Sequence, residues 1–374
     1  MQKKEIAEIK KQFTPESCAL TRLCACYVSA EKERLILTRD AFLSLPEEDT
    51  FKYFELFRAV LSGGIGKKLL NLSFPLAEER EGGAQERLYK LLDSRLRENE
   101  AVNSVLDRII ETLPYNENYL ILLTHGAYDV PGKASDGTSM FDASDEVYEY
   151  ILCAICPVNL SKAGLSFFAD KGRFSARIRD WVVEAPITGF LFPAFNDRST
   201  DLHSMLYYSK KPDDLIPEYV KNMFGCPVPM SSAEQKNVFN TIIEKTLGKD
   251  RSYEMLREVQ DSVLTIVEDR GDSAENVKLG EKELRQVFEE AGAENTDIIS
   301  EVFKDPKTAP ELLASNVVDS KKCEIKTSHI LIRVSTDMSA AVSTKVIDGK
   351  KCLVIPVEEA MEVNGIPLKE GESL

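Results

Sequence analysis

The sequence predicts an α+β protein: a largely antiparallel sheet with helices packed on one of its faces, a helical region, and a small C-terminal β unit. Three observations lead there. Five β-forming runs between residues 119 and 209 lie only a few residues apart, too close for the crossover helices that parallel strands require. Residues 213–305 then change to helical periodicity, and the tail returns to β-rich runs around an Asp348-Gly349 turn. The expected units are 1–212 (α+β), 213–316 (helical) and 317–374 (β), the last standing alone or packing on another unit.

Taken in order, a short amphipathic helix at 3–12 precedes "LCACYV" and "RLILT", two strands joined by the polar "SAEKE" turn. From Glu47 to Leu61, Phe51, Phe54, Leu56, Phe57, Val60 and Leu61 form one broad helical face. "SGGIGKK" terminates that helix. It lacks the spacing of a phosphate loop, because Lys67 is followed by Lys68 and Leu69, with no Ser or Thr. Helices at about 83–97 and 99–113 carry Leu88, Leu91, Leu92 and Leu96, then Val102, Val105, Leu106, Ile109 and Ile110. The five β runs follow: "YLILLTHGAY", "VYEYILCAICPV", "RIRDWVVEA", "TGFLFPAF" and "LHSMLYYS". In the helical region, Ser231 or Ser232 with Glu234 or Gln235 fits a capping box, and Gly248 fits a stop. The tail reads as "ILIRVS", "VSTKVI" and "CLVIPV". Asp348-Gly349 joins the last two as a two-residue turn, where Gly accepts positive φ.

With 374 residues, 43% of them hydrophobic, the chain can bury a full core without disulfide or metal staples. Its net charge of −15 excludes a uniformly cationic coat for indiscriminate nucleic-acid or membrane binding, and leaves a local basic site as the route to a polyanion. The longest uncharged stretches, among them Tyr150 to Ser161 and Ala185 to Asn196, are twelve residues long, against the roughly 20 that a spanning helix needs. No membrane partner is therefore expected. The charged start lacks a secretory h-region, so a cytoplasmic location is expected, with the eight Cys reduced.

Candidate chemistry falls into four groups. Cys18, Cys24, Cys26, Cys153 and Cys156 could in principle supply a thiolate metal site. Cys153 and Cys156, however, lie in a hydrophobic β run whose odd spacing sends them to opposite faces, which predicts packing. No metal or other cofactor is expected, since no metalloprotease, EF-hand, Rossmann or nucleophile-elbow pattern occurs. His125, Asp129, Asp197, Arg198, Asp201 and His203 sit in or beside polar loops. In an enzymatic alternative, His125, Asp197, Arg198 and His203 would converge on a phosphorylated substrate. The third group is electrostatic. Lys321, Lys322, Lys326, Arg333, Lys345, Lys350 and Lys351 face only three acids between 321 and 351, and a basic hairpin can lie along phosphates. Arg173, Arg177 and Arg179 share one face if a strand reaches back that far. Finally, residues 231–305 hold 10 basic and 18 acidic side chains, so the acidic helices offer a protein-interaction scaffold as a third reading.

Several strings, among them "FKYFELFRAVLSGGIGKKLLNL", "VYEYILCAICPVNLSKAGLSFF" and "RIRDWVVEAPITGFLFPAFNDRSTDLHSMLYYSK", resemble an uncharacterised bacterial domain-of-unknown-function family over nearly the whole chain. That resemblance implies no activity and donates no catalytic residue. In layout, the "YLILLTH" strand, "FLFPAFNDRSTD", a helical run and the "STKVIDGKKCLVIPV" tail are similar to the bacterial nucleoid-associated 37-kDa family. This second resemblance implies DNA association without catalysis, together with self-association into a homo-oligomer. The expectation is thus a non-enzymatic protein that contacts DNA through phosphates, using the seven C-terminal cations first and Arg173, Arg177 and Arg179 second.

Overall fold

The computed structural model describes residues 1–133, 139–211, 217–248, 251–271, 274, 277–304, 312–319, 322–335, 341–356, 362–363 and 366–367. The chain divides into two compact units, Met1–Ser231 and Ser232–Leu374.

The first unit begins with helix α1 (Lys3–Lys10), strands β1 (Leu20–Val28) and β2 (Arg34–Ala41), helix α2 (Glu47–Val60) and strand β3 (Leu69–Ser73). Helices α3 (Ala84–Asp93) and α4 (Asn99–Thr112) precede the long strands β4 (Tyr119–Lys133) and β5 (Ser139–Leu160). Then come β6 (Leu165–Phe168), β7 (Arg173–Ala176), β8 (Trp181–Val183), β9 (Thr188–Phe192), β10 (Ala194–Asn196), β11 (Ser199–Asp201), β12 (Ser204–Ser209) and helix α5 (Pro217–Phe224). The main sheet runs β2-β1-β4-β5-β9-β12-β3, with β8 on the end of β5, and every pairing in it is antiparallel.

Helices cover both faces of this sheet, where a single helical layer was expected. On one face Cys24, Cys26, Ile121, Leu123, Ile151, Cys153, Phe190 and Tyr207 meet the apolar stripes of α3, α4 and α5. On the other, Leu23, Ala25, Leu122, Leu152, Ala154, Cys156 and Leu191 meet α1 and α2. Strands buried on both sides need apolar residues at both parities, as "YLILL" and "YILCAIC" have. Helix α5 belongs to this unit: Tyr219, Val220, Met223 and Phe224 are buried in its core.

The second unit contains α6 (Ser232–Leu247), α7 (Tyr253–Asp269), β13 (Lys278–Leu279), α8 (Glu281–Glu290), α9 (Asp297–Phe303), β14 (Leu312–Leu313) and α10 (Ala314–Val317). Phe239, Ile242, Val259, Val263, Leu284, Val287, Phe288 and Ile299 form its core. Buried Gln235 accepts hydrogen bonds from the Leu313 amide at 2.9 Å and the Asn316 side chain at 3.1 Å, so its side-chain oxygen is not orphaned. Two hairpins follow, β15 (Lys322–Lys326) with β16 (Leu331–Ser335) and β17 (Ser343–Ile347) with β18 (Lys350–Val354), and then the short pair β19 (Glu362–Val363) and β20 (Ile366–Pro367). Asp348 and Gly349 have φ of 49° and 72°, the double left-handed turn that a two-residue hairpin needs.

Glu254 on α7 ties the β17 strand down: its Oε1 accepts from the Thr344 amide at 3.2 Å and the Thr344 hydroxyl at 2.8 Å. Hydrogen bonds from its own backbone, from Thr344 and from Ser252 hold its carboxyl down to about 2. A carboxyl with a depressed native pKa keeps its contact at full strength above the ordinary value near 4.5 and loses it as the pH falls toward 2. Acidifying from pH 5 to pH 2 is therefore expected to lower the protection factor of the Thr344 amide, taken against the intrinsic exchange rate at each pH, and Glu254→Ala should do the same at pH 7. Unchanged protection in either experiment would refute the tether.

Candidate functional site

Among the described residues of the first unit, exposed large apolar side chains are most numerous on an arm, residues 161–183, inserted between β5 and β9. Its base is clamped by backbone geometry. The Ser161 amide donates to the Asp180 carbonyl at 2.8 Å, the Asp180 amide donates to the Ser161 hydroxyl at 3.1 Å, and Arg179 Nε donates to the Ser161 carbonyl at 2.6 Å. Strand β8 then pairs antiparallel with the end of β5, Leu160 opposite Trp181.

Beyond the clamp, β6 and β7 form a hairpin with Leu165 opposite Ala176, Phe167 opposite Phe174 and Phe168 opposite Arg173. Its turn closes on Gly172. Alternation along each strand puts Leu165, Phe167, Phe174 and Ala176 on one face. That face is open: Leu165 is 75% exposed, Phe167 58% and Phe174 71%, and the two Phe rings lie 5.3 Å apart. Ile178 and Trp181 add exposures of 70% and 57%. Isolated exposed apolar residues are ordinary, but a contiguous set signals a binding surface.

The same segment is cationic, with Lys162, Lys171, Arg173, Arg177 and Arg179 against Asp170 and Asp180. Lys171 Nζ sits 5.6 Å from the centre of the Phe168 ring. Arg177 Nε donates to the Ser166 hydroxyl at 3.2 Å. Strand β7 ends at Ala176, so Arg177 and Arg179 lie in the following loop and not on a continuous strand with Arg173. All three arginines are exposed, and none is in an ion pair among the described residues.

The C-terminal cations are divided between two separate hairpins. Lys322, Lys326 and Arg333 share one face of β15–β16, but Arg333 Nε is 3.0 Å from Glu324 in an ion pair. Lys345 and Lys350 share one exposed face of β17–β18. Lys321 lies outside the described residues, as does the side chain of Lys351.

The residues of the enzymatic alternative have separate partners. His125 is buried on β4. Its Nδ1 is 2.7 Å from the Thr21 hydroxyl and its Nε2 is 3.6 Å from Glu149, which Arg95 also holds. Burial lowers its pKa. His203 is exposed and pairs with Glu79 at 2.8 Å, which raises its pKa. Arg198 binds Glu8 at 2.9 Å and the Pro131 carbonyl at 3.1 Å, while Asp197 and Arg198 form a turn with positive φ. Asp201 accepts from Asn196 and from the His203 amide. His125, Arg198 and His203 share no hydrogen-bond partner among the described residues, and positions 134–138 of the loop after His125 lie outside them.

Cys24, Cys26 and Cys153 are buried on one sheet face and Cys156 on the other, while Cys18 is half-buried. Burial pushes the Cys24 thiol up to about 11 and Cys156 to about 12. No group of residues able to hold a metal occurs among those described. On helices α6–α9, Leu256 is the one exposed large apolar side chain among the described residues. No helix among the described residues is long and apolar enough to cross a membrane.

Sequence reasoning singled out the three arm arginines but missed Phe167, Phe174 and Trp181 beside them. The available signal was two β-forming triplets, "SFF" and "RFS", around a turn ending in Gly172. A family model described as a domain of unknown function (DUF4317) matches residues 1–366. No curated protein matches the chain.

Proposed function

The chain belongs to the DUF4317 family, and from that premise we propose that it binds nucleic acid through phosphate contacts made by the 161–183 arm. One observation carries this reading: Arg173, Arg177 and Arg179 are exposed without a carboxylate partner among the described residues, in a chain of net charge −15. Several other arginines are matched, Arg34 with Asp107, Arg95 with Glu149, Arg198 with Glu8, Arg270 with Glu283 and Arg333 with Glu324; Arg80 and Arg97 are also exposed without an ion pair among the described residues, but the arm gathers three such arginines within seven positions. An unpaired guanidinium offers a planar fork of donors suited to a phosphate. Local net charge on the arm is positive, so its field attracts a polyanion against the chain's net charge of −15.

The test is a fluorescence-anisotropy titration of a labelled oligonucleotide at several salt concentrations between about 50 and 200 mM. Affinity should fall steeply with salt. Changing Arg173, Arg177 and Arg179 together to Ala should flatten the log–log slope by roughly two to three, since each neutralised phosphate contributes about 0.7–0.9. Changing Lys322, Lys326, Lys345 and Lys350 to Ala is the matching control on the C-terminal hairpins. If that variant carries the loss instead, the site moves to those hairpins. Binding indifferent to salt removes the proposal.

A further inference from the structure

We infer that the arm selects single strands, holding unpaired bases against Phe167, Phe174 and Trp181; this rests on the nucleic-acid reading above and names its substrate class. Phosphate contacts alone do not distinguish a duplex from a single strand. Exposed rings do, because the faces of bases in a duplex are already stacked on their neighbours, whereas those of a single strand are free. The two Phe rings lie side by side across the β6–β7 ladder, inclined by 53°, and each is more than half exposed. Trp181 stands at the base of the same arm, next to the Ser161–Asp180 clamp. Cations alternate with these apolar groups along the chain: Arg173 precedes Phe174, Arg177 and Arg179 flank Ile178, and Asp180 alone separates Arg179 from Trp181.

This interleaving decides among occupants. Arg173 lies with Phe168 on the other face of the hairpin, but an apolar protein partner covering the arm from Phe174 to Trp181 would strip water from Arg177 and Arg179 with no anion to compensate them. The same arm of a second copy would oppose like charges. An anionic bilayer would satisfy the charge, but lysine would serve it equally well, whereas three of the five cations are arginine, whose planar group both grips phosphate and stacks on bases. Burying the rings against bases also explains why they are not spent on folding.

Trp181 is the only tryptophan in the chain, so its emission reports directly from the site. The experiment titrates the full chain with a thymidine homopolymer and with a mixed-sequence duplex of equal length at one salt concentration. The single strand is expected to bind at least about tenfold more tightly and to quench Trp181, as base stacking requires. Phe167→Ala with Phe174→Ala should weaken single-strand binding by roughly 5- to 150-fold, the range for losing one stacked base, and leave duplex affinity unchanged. Both side chains are exposed, so the variant should keep the circular dichroism of the parent.

Equal affinity for strand and duplex with unquenched Trp181 overturns the stacking inference while leaving phosphate binding intact. No binding to either overturns both. Binding instead to phosphatidylserine vesicles, with a shift in Trp181 emission, would assign the arm to a bilayer surface and also overturn the inference.

Discussion

Replacing Phe190 with alanine is expected to cost about 3–5 kcal/mol of stability, the range for truncating a fully buried aromatic side chain. Phe190 is 1% exposed on β9, between Cys153 of β5 and Tyr207 of β12. Its ring meets Phe224 of α5 edge-on at 5.3 Å, so the truncation opens a cavity and also removes the anchor of a helix. Urea unfolding followed by circular dichroism measures the cost. A loss under about 1 kcal/mol would show that α5 does not seal this face.

Gly189, the preceding residue, faces the opposite way and should also tolerate change poorly. A Cβ there would lie 2.3 Å from the Cys153 carbonyl oxygen and 3.0 Å from a Val60 methyl of α2. The first contact is with backbone, which cannot rotate aside, so even Gly189→Ala must push β5 from β9 or lift α2. The expected cost is about 3 kcal/mol, the upper end for overpacking. Adding Val60→Ala separates the causes. Substantial recovery in the double variant would put the strain on the helix contact and contradict the assignment to the β5 carbonyl.

Much of the first unit could be read from residue pattern. The runs at 119–128 and 147–158 are too rich in β-formers for helix, and their close spacing indicated antiparallel pairing. The second helical cover was also legible in principle. "YLILL" does not alternate, and a strand with one wet face should. Expecting one solvated face gave the spacing of the strands more weight than their composition. The destination of α5 was not legible, because the stripe Tyr219, Val220, Met223 and Phe224 shows that a face is buried but not in whose core.

The candidate site divides in the same way. Arginine triplets are visible in sequence, but whether each one finds a carboxylate depends on register. Glu324 and Arg333 become neighbours only because the turn between β15 and β16 sets them opposite. Phe167 and Phe174 were invisible as surface groups because exposure leaves no mark on residue type. The separate positions of Cys153 and Cys156 were, by contrast, deducible from parity alone, and the structure places them on opposite faces as that parity requires.

Double-sided coverage of the sheet also bears on how the chain is made. The central segments "YLILLT" and "YILCAIC" are uncharged, proline-free and β-prone, the composition that self-associates when left bare. Helices α1, α2, α3 and α4 all precede them. Vectorial synthesis, at about 5–20 residues per second, thus delivers four of the five shielding segments before the stickiest stretches leave the ribosome. Chain order itself acts as a safeguard against aggregation during translation.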